Sequence, residues 1–150
     1  MSPRISGRAA IAATVGSSLA VLGAALLPWL RTGNATRSAF ELARSASVLG
    51  LFDGAPRRVC LALWYLLPFL VAATWTAGAA RRPLLTASLG GIVGLTSCAA
   101  GILVVVLARS APGPVAAIVA GIAAIGSAVL LARGTVRAGS NIFIQEGITT

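Results

Sequence analysis

The feature that most constrains this chain is a set of four long runs without a charged side chain: Ala9–Leu30, Val59–Ala80, Leu84–Ala108 and Pro114–Ala132. Each meets the roughly 17–25 residues that carry a helix across a hydrocarbon core of about 30 Å. Inside lipid no water satisfies backbone N–H and C=O groups, so such a segment closes its own hydrogen bonds as a helix. The apolar-out, polar-in alternation of a membrane barrel is missing. The sequence therefore predicts an all-α fold, an integral membrane four-helix bundle in one domain, residues 1–150, with a tail over 133–150. Composition agrees: 57% of residues are apolar and 10% charged, against about 45–50% and about 25% in soluble domains. The first run also follows two arginines, as a signal peptide does. It is longer than the usual apolar stretch of about 7–15 residues, however, and Leu26-Leu27-Pro28-Trp29-Leu30 is a poor cleavage site. It reads as a retained span.

The residue inventory excludes most chemistry. There is no His, and all 12 basic residues are Arg. That removes imidazole-based acid–base catalysis, ordinary haem ligation and imidazole metal sites. Two cysteines, Cys60 and Cys98, are too few for an iron–sulfur cluster or a structural zinc site. A helical rise of about 1.5 Å per residue sets them at depths roughly 12 Å apart, beyond the roughly 7 Å between Cα atoms that a disulfide spans. Both are expected to be free thiols used in packing. Serine and threonine have no His or Lys to activate them. The three acids, Glu41, Asp53 and Glu146, form no catalytic set, and no cofactor is expected. The chain reads as a non-enzyme.

The net charge of +9 does not point to nucleic acid, because the arginines punctuate the apolar runs instead of forming one stripe. Their expected partners are anionic lipid headgroups, contacted by Arg37, Arg44, Arg57, Arg58, Arg81 and Arg82. Arg4, Arg8, Arg81, Arg82, Arg133 and Arg137 fall on the side of the termini; Arg31, Arg37, Arg44, Arg57, Arg58 and Arg109 fall on the other. The counts are equal, but orientation follows basic residues in short loops close to the spans. The tight Arg81-Arg82-Pro83 turn and the short basic N-tail favour both termini in the cytoplasm, with the chain in a bacterial plasma membrane. The use of Arg in place of Lys, beside abundant Ala and Gly, fits a GC-rich bacterial genome.

The one long connection, Arg31 to Arg58, holds most of the surface outside lipid. Ser38 and Glu41 fit a capping box, and Gly50 fits a C-terminal stop. Ala39, Leu42, Ala43, Ala46 and Leu49 recur at helical spacing between them. A short amphipathic helix is predicted over about residues 39–49, its apolar face widened by Phe40, Val48, Leu51 and Phe52. Three readings of it stand open: a helix lying among headgroups, a lid over the spans, and a docking element. In the last, Phe40, Leu42, Leu49, Leu51 and Phe52 enter a groove on a larger integral membrane complex. Asn34-Ala35-Thr36 matches a glycosylation sequon by chance in a bacterial chain.

Within the spans, small residues recur at four-residue spacing: Ala12, Gly16, Ala20 and Ala24 in the first, Gly90 and Gly94 in the third, where Ser97 and Gly101 continue a second row, and Ala117 and Gly121 in the fourth. Such rows let helix backbones come close in lipid. They are expected to pack the bundle internally, with an intermolecular face as the other use. Pro68 removes one hydrogen bond from span two and predicts a kink, more often only tolerated; the alternative is that the kink and the glycines of span three outline a cavity, which would make the chain a small lipid or hydrophobic-solute carrier. Trp29, Trp64, Tyr65 and Trp75 fall toward span ends, as aromatic belts do. Small four-span drug exporters are similar in size but depend on a membrane-embedded Glu, and these spans carry none. Ser140–Glu146 alternates in a way that suits a short strand, with a frayed tail as the alternative.

The stretch Trp29-Leu30-Arg31-Thr32-Gly33, with Arg37-Ser38-Ala39-Phe40-Glu41-Leu42, Arg44-Ser45-Ala46 and Leu49-Gly50-Leu51, is similar to small multi-span proteins of unassigned activity from mycobacteria and related actinobacteria. The resemblance covers span one and its loop. It implies an accessory subunit of a larger envelope complex, with the MCE lipid-import machinery first and a respiratory supercomplex second. It carries no catalytic motif and assigns no functional residue.

Overall fold

The computed structural model describes residues 7–32, 35–41, 55–107 and 112–146. They form helix α1 (Gly7–Leu26), strands β1 (Pro28–Thr32) and β2 (Ala35–Ser38), and helices α2 (Ala55–Ala79), α3 (Pro83–Leu107) and α4 (Pro112–Glu146). Three of the helices are long and apolar enough to cross a membrane: Gly7–Leu26, Pro83–Val106 and Pro112–Val136. The fourth, α2, runs through Pro68 without interruption. It turns Tyr65, Leu66, Phe69 and Trp75 outward.

The bundle buries small and hydroxyl-bearing residues beside apolar ones such as Leu67, Val71 and Val93, and leaves many bulky apolar side chains outside. On α1 the inward residues include Thr14 and Ser18, while Leu19 and Leu26 face out. A helix on a water-soluble core does the reverse. In lipid there is no hydrophobic force between helices, so close packing of small residues decides which faces meet. Three of the buried hydroxyls are satisfied within their own helices: Thr14 Oγ1 donates to Ala10 O at 2.9 Å, Ser18 Oγ to Thr14 O at 2.8 Å, and Thr74 Oγ1 to Leu70 O at 2.8 Å.

The seam between α3 and α4 brings backbone close to backbone. A Cβ placed on Gly94 would stand 2.7 Å from Gly121 O, and one on Gly101 would stand 2.8 Å from Pro114 O. Ser97 Oγ donates across it to Ala117 O at 2.9 Å. Gly90 meets Thr14 of α1. On the α1–α4 side Ser17 Oγ and Ser127 Oγ approach to 3.4 Å. Helix α2 lies against α1 through Gly78, whose Cβ would come 2.9 Å from Val15 Cγ2.

Four expectations change. The first apolar run is not one helix, because α1 stops at Leu26. Pro28 has no N–H to continue the helical ladder and disfavours helical backbone at Leu27. The residues that follow, Pro28–Thr32, pair antiparallel with Ala35–Ser38. Second, the fourth helix does not end at Ala132 but continues to Glu146, so Ser140–Glu146 is helical and not a strand. Its 35 residues span about 52 Å at about 1.5 Å each, and the last turns extend well past a core of about 30 Å. Third, Gly16 and Ala20 lie exposed on α1, outside the packed faces, with nothing within 4 Å of a Cβ on Gly16. The packed residues are Ala10, Thr14, Ser18, Val21, Ala24 and Ala25, so of the expected row Ala24 alone is buried. Fourth, Trp29 and Trp64 are buried, at 1% and 8% exposure, while Tyr65 and Trp75 are exposed. The first pair therefore belongs to the core and not to an aromatic belt.

Candidate functional site

Two places at opposite ends of the bundle gather distinctive side chains. The first lies under the β-hairpin. The register shifts between Pro28 and Leu30, which leaves Trp29 as the extra residue of a bulge. Bulges re-aim side chains, and here the indole turns into the bundle end. Its Nε1–H donates to Ala24 O at 2.8 Å, a carbonyl in the last turn of α1 that also accepts from Leu27 N at 3.2 Å. Its ring meets Trp64 of α2 edge-on, centroids 5.2 Å apart at 73°. Phe40 also packs against Trp64, with centroids 6.0 Å apart. The start of α4 comes so close that a Cβ on Gly113 would sit 2.7 Å from Pro28 O and overlap the Trp29 ring. Trp64 Nε1 is the one buried side-chain donor without a hydrogen-bond partner among the described residues.

The capping box forms: Ser38 N donates to Glu41 Oε2 at 2.9 Å, and Glu41 N donates to Ser38 Oγ at 3.4 Å. Residues 39–41 are helical. Of the expected docking residues, Phe40 is described, and it packs inward against the aromatic core instead of facing a partner. Leu42, Leu49, Leu51 and Phe52 lie outside the described residues, as do Arg44 and most of the predicted 39–49 helix. The side chains of Arg57, Arg58 and Cys60 lie outside them as well. Arg37 is exposed on β2.

The second place is at the end where α1 begins and α2 turns into α3. Helix α2 closes with Arg81 N donating to Gly78 O at 3.0 Å and Arg82 N donating to Ala77 O at 3.0 Å. That paired closure is a Schellman motif, in which the residue after the helix adopts left-handed backbone and is usually Gly. Here it is Arg81, at φ 53°. A side chain in that conformation costs roughly 1–2 kcal/mol. The turn holds Arg81 at the mouth of a groove of about 290 Å³ between α1 and α2. Ile11, Ala12, Val15, Trp75, Gly78 and Ala79 form its apolar walls, and Arg8 stands with Arg81 at its rim. Arg82, next in sequence, does not line it.

The expected packing glycines thus divide. Gly90, Gly94, Gly101 and Gly121 sit in helix contacts, and Gly16 and Ala20 do not. Gly90, Gly94 and Gly101 of α3 face α1 or α4, so they do not line a cavity against Pro68 of α2. Cys98 is a free thiol whose Sγ reaches Ile118 O at 3.6 Å. Among the described residues, no three His, Cys, Asp or Glu side chains converge as a metal site would require.

Sequence reasoning missed the hairpin and the groove. Gly33-Asn34 between two short runs is a hairpin signal, masked by the apolar Leu26–Leu30. Arg8 and Arg81 are distant in sequence, but the start of one helix and the end of the next antiparallel one share an end of the bundle. Comparison with protein families, curated proteins and solved structures returned no match to this chain.

Proposed function

We propose that this chain is a non-catalytic accessory subunit that docks on a larger integral membrane complex. In this reading it spans a bacterial plasma membrane four times, α2 included, with both termini in the cytoplasm. The observation that carries it is the unused small-residue face of α1. Ala12, Gly16, Ala20 and Gly23 are exposed, and nothing lies within 4 Å of a Cβ on Gly16 or Gly23. Bulky apolar side chains already face outward elsewhere, including Phe69, Leu95 and Val119, so lipid contact alone does not account for a strip this shallow. Helices in lipid associate where small residues let backbones approach. The inventory supports the non-catalytic part, since no His or Lys is present to serve as a base.

The resemblance in span one and its loop puts an MCE-type lipid-import machinery first as the partner, with a respiratory supercomplex second. The test is affinity purification of the tagged chain in mild detergent beside a Gly16→Leu/Ala20→Leu variant. The reading expects a stoichiometric partner with the unaltered chain and its loss with the variant. Equal recovery from both, or none from either, contradicts it.

A further inference from the structure

The groove between α1 and α2 shares only Ala12 with the docking face and is a two-part surface that face does not explain: apolar along its walls and doubly cationic at its rim. We propose that it binds one anionic phospholipid. The headgroup phosphate lies between the Arg8 and Arg81 guanidiniums, and an acyl chain runs along Ile11, Val15 and Trp75.

Three observations lead there. The first is charge. Guanidinium forks match phosphate oxygens and bind them in pairs. The one acid whose side chain is described, Glu41, is held in its capping box at the opposite end of the bundle, so it does not compete for the rim. The second is depth. Arg8 lies in the first turn of α1, and Arg81 follows the last turn of α2. The cations therefore sit at headgroup level while the apolar walls descend into the chain region, the arrangement that holds lipid at an interface. At about 290 Å³ the groove stands near the small end of ligand clefts, about 300–1,000 Å³. It has room for a headgroup and the upper part of a chain, the rest of which lies in bulk lipid. The third is Arg81 itself. A long cationic side chain occupies a left-handed position that glycine fills without strain, and residues held in strained backbone cluster at ligand clamps.

The two cations also set the preference. A zwitterionic headgroup brings its own ammonium toward the rim, where both guanidiniums repel it. A free phosphate ion has no chain to lie against Trp75.

The test uses the full chain in mild detergent, analysed by native mass spectrometry after addition of phosphatidylglycerol, phosphatidylcholine or inorganic phosphate. One phosphatidylglycerol is expected to be retained, about tenfold over phosphatidylcholine, and millimolar inorganic phosphate is not expected to displace it. Arg8→Gln and Arg81→Gln should each lower retention roughly fivefold. Arg81→Gly should do the same while leaving the unfolding transition unchanged or raised, which separates lost binding from lost folding. Arg133→Gln, exposed on α4 and outside the groove, should retain the lipid. Equal retention of the two lipids, displacement by inorganic phosphate, or an equal loss in Arg133→Gln would overturn the proposal. The isolated chain is measured, so failure here leaves the docking reading standing.

Discussion

The α3–α4 seam allows a sharp test of how this bundle holds together. A methyl group added in Gly94→Ala would stand 2.7 Å from Gly121 O, 2.8 Å from Ile125 Cγ1 and 3.1 Å from Ile125 N. Two of those atoms are backbone and cannot rotate away. Ordinary van der Waals contact begins near 3.4 Å, so the helices must part locally by about 0.7 Å. A gap of about 0.5–1 Å already forfeits a quarter to a half of each dispersion contact. Overpacking of this kind costs about 1–3 kcal/mol. The Ser97–Ala117 hydrogen bond spans the same seam and stretches with it, adding about 0.6 kcal/mol. Gly94→Ala is thus expected to destabilise by about 2–3 kcal/mol. The control is Gly91→Ala, where nothing lies within 4 Å. It should be neutral or stabilising by up to about 1 kcal/mol, as alanine replaces glycine in a helix. The assay is unfolding by sodium dodecyl sulfate titrated into mild detergent micelles, followed by far-ultraviolet circular dichroism. Adding Gly121→Ala to Gly94→Ala should cost less than the sum of the two, because one separation accommodates both methyls. Equal stabilities for Gly94→Ala and Gly91→Ala would refute the seam.

Further outcomes follow from other contacts, each read in the same unfolding assay unless stated. Trp29→Ala should cost about 3–5 kcal/mol and abolish the near-ultraviolet signal of the Trp29–Trp64 pair; Trp29→Phe, which loses mainly the bond to Ala24 O, should cost about 1 kcal/mol. Trp64→Phe should be nearly neutral, since it removes a buried donor that has no partner. Arg81→Gly should stabilise by roughly 1–2 kcal/mol by relieving left-handed backbone at a side-chain-bearing residue. Ser38→Ala should speed hydrogen exchange at the Glu41 amide, a loss of about 1 kcal/mol confined to that helix start.

The long helices were legible because lipid leaves an uncharged run few alternatives, and α3 and α4 begin at prolines that suit a first helical turn. Their ends were less legible. Hydropathy carried the first run past Pro28, where backbone chemistry stops it, and it ended the fourth run at Arg133, although no proline follows to break the helix. Packing faces were legible where glycine meets backbone, as at Gly94 and Gly121. They were misread on α1, where Thr14 and Ser18 bond back to their own helix and pack as small residues, leaving Gly16 outside. Trp29 looked like an interfacial anchor by position. Only the bulge in β1, a tertiary feature, turns it inward. The groove needed the fold, because Arg8 and Arg81 meet through the antiparallel course of α1 and α2.

The claim that this chain works through what it touches is tested most directly by native mass spectrometry of the tagged protein, extracted from its own host's membranes in the mildest detergent that releases it. The account predicts a species heavier than the 15.0 kDa chain by a fixed partner mass, resolving into this chain and its complex on activation. A bare 15.0 kDa chain at every extraction strength, carrying at most lipid, would contradict it.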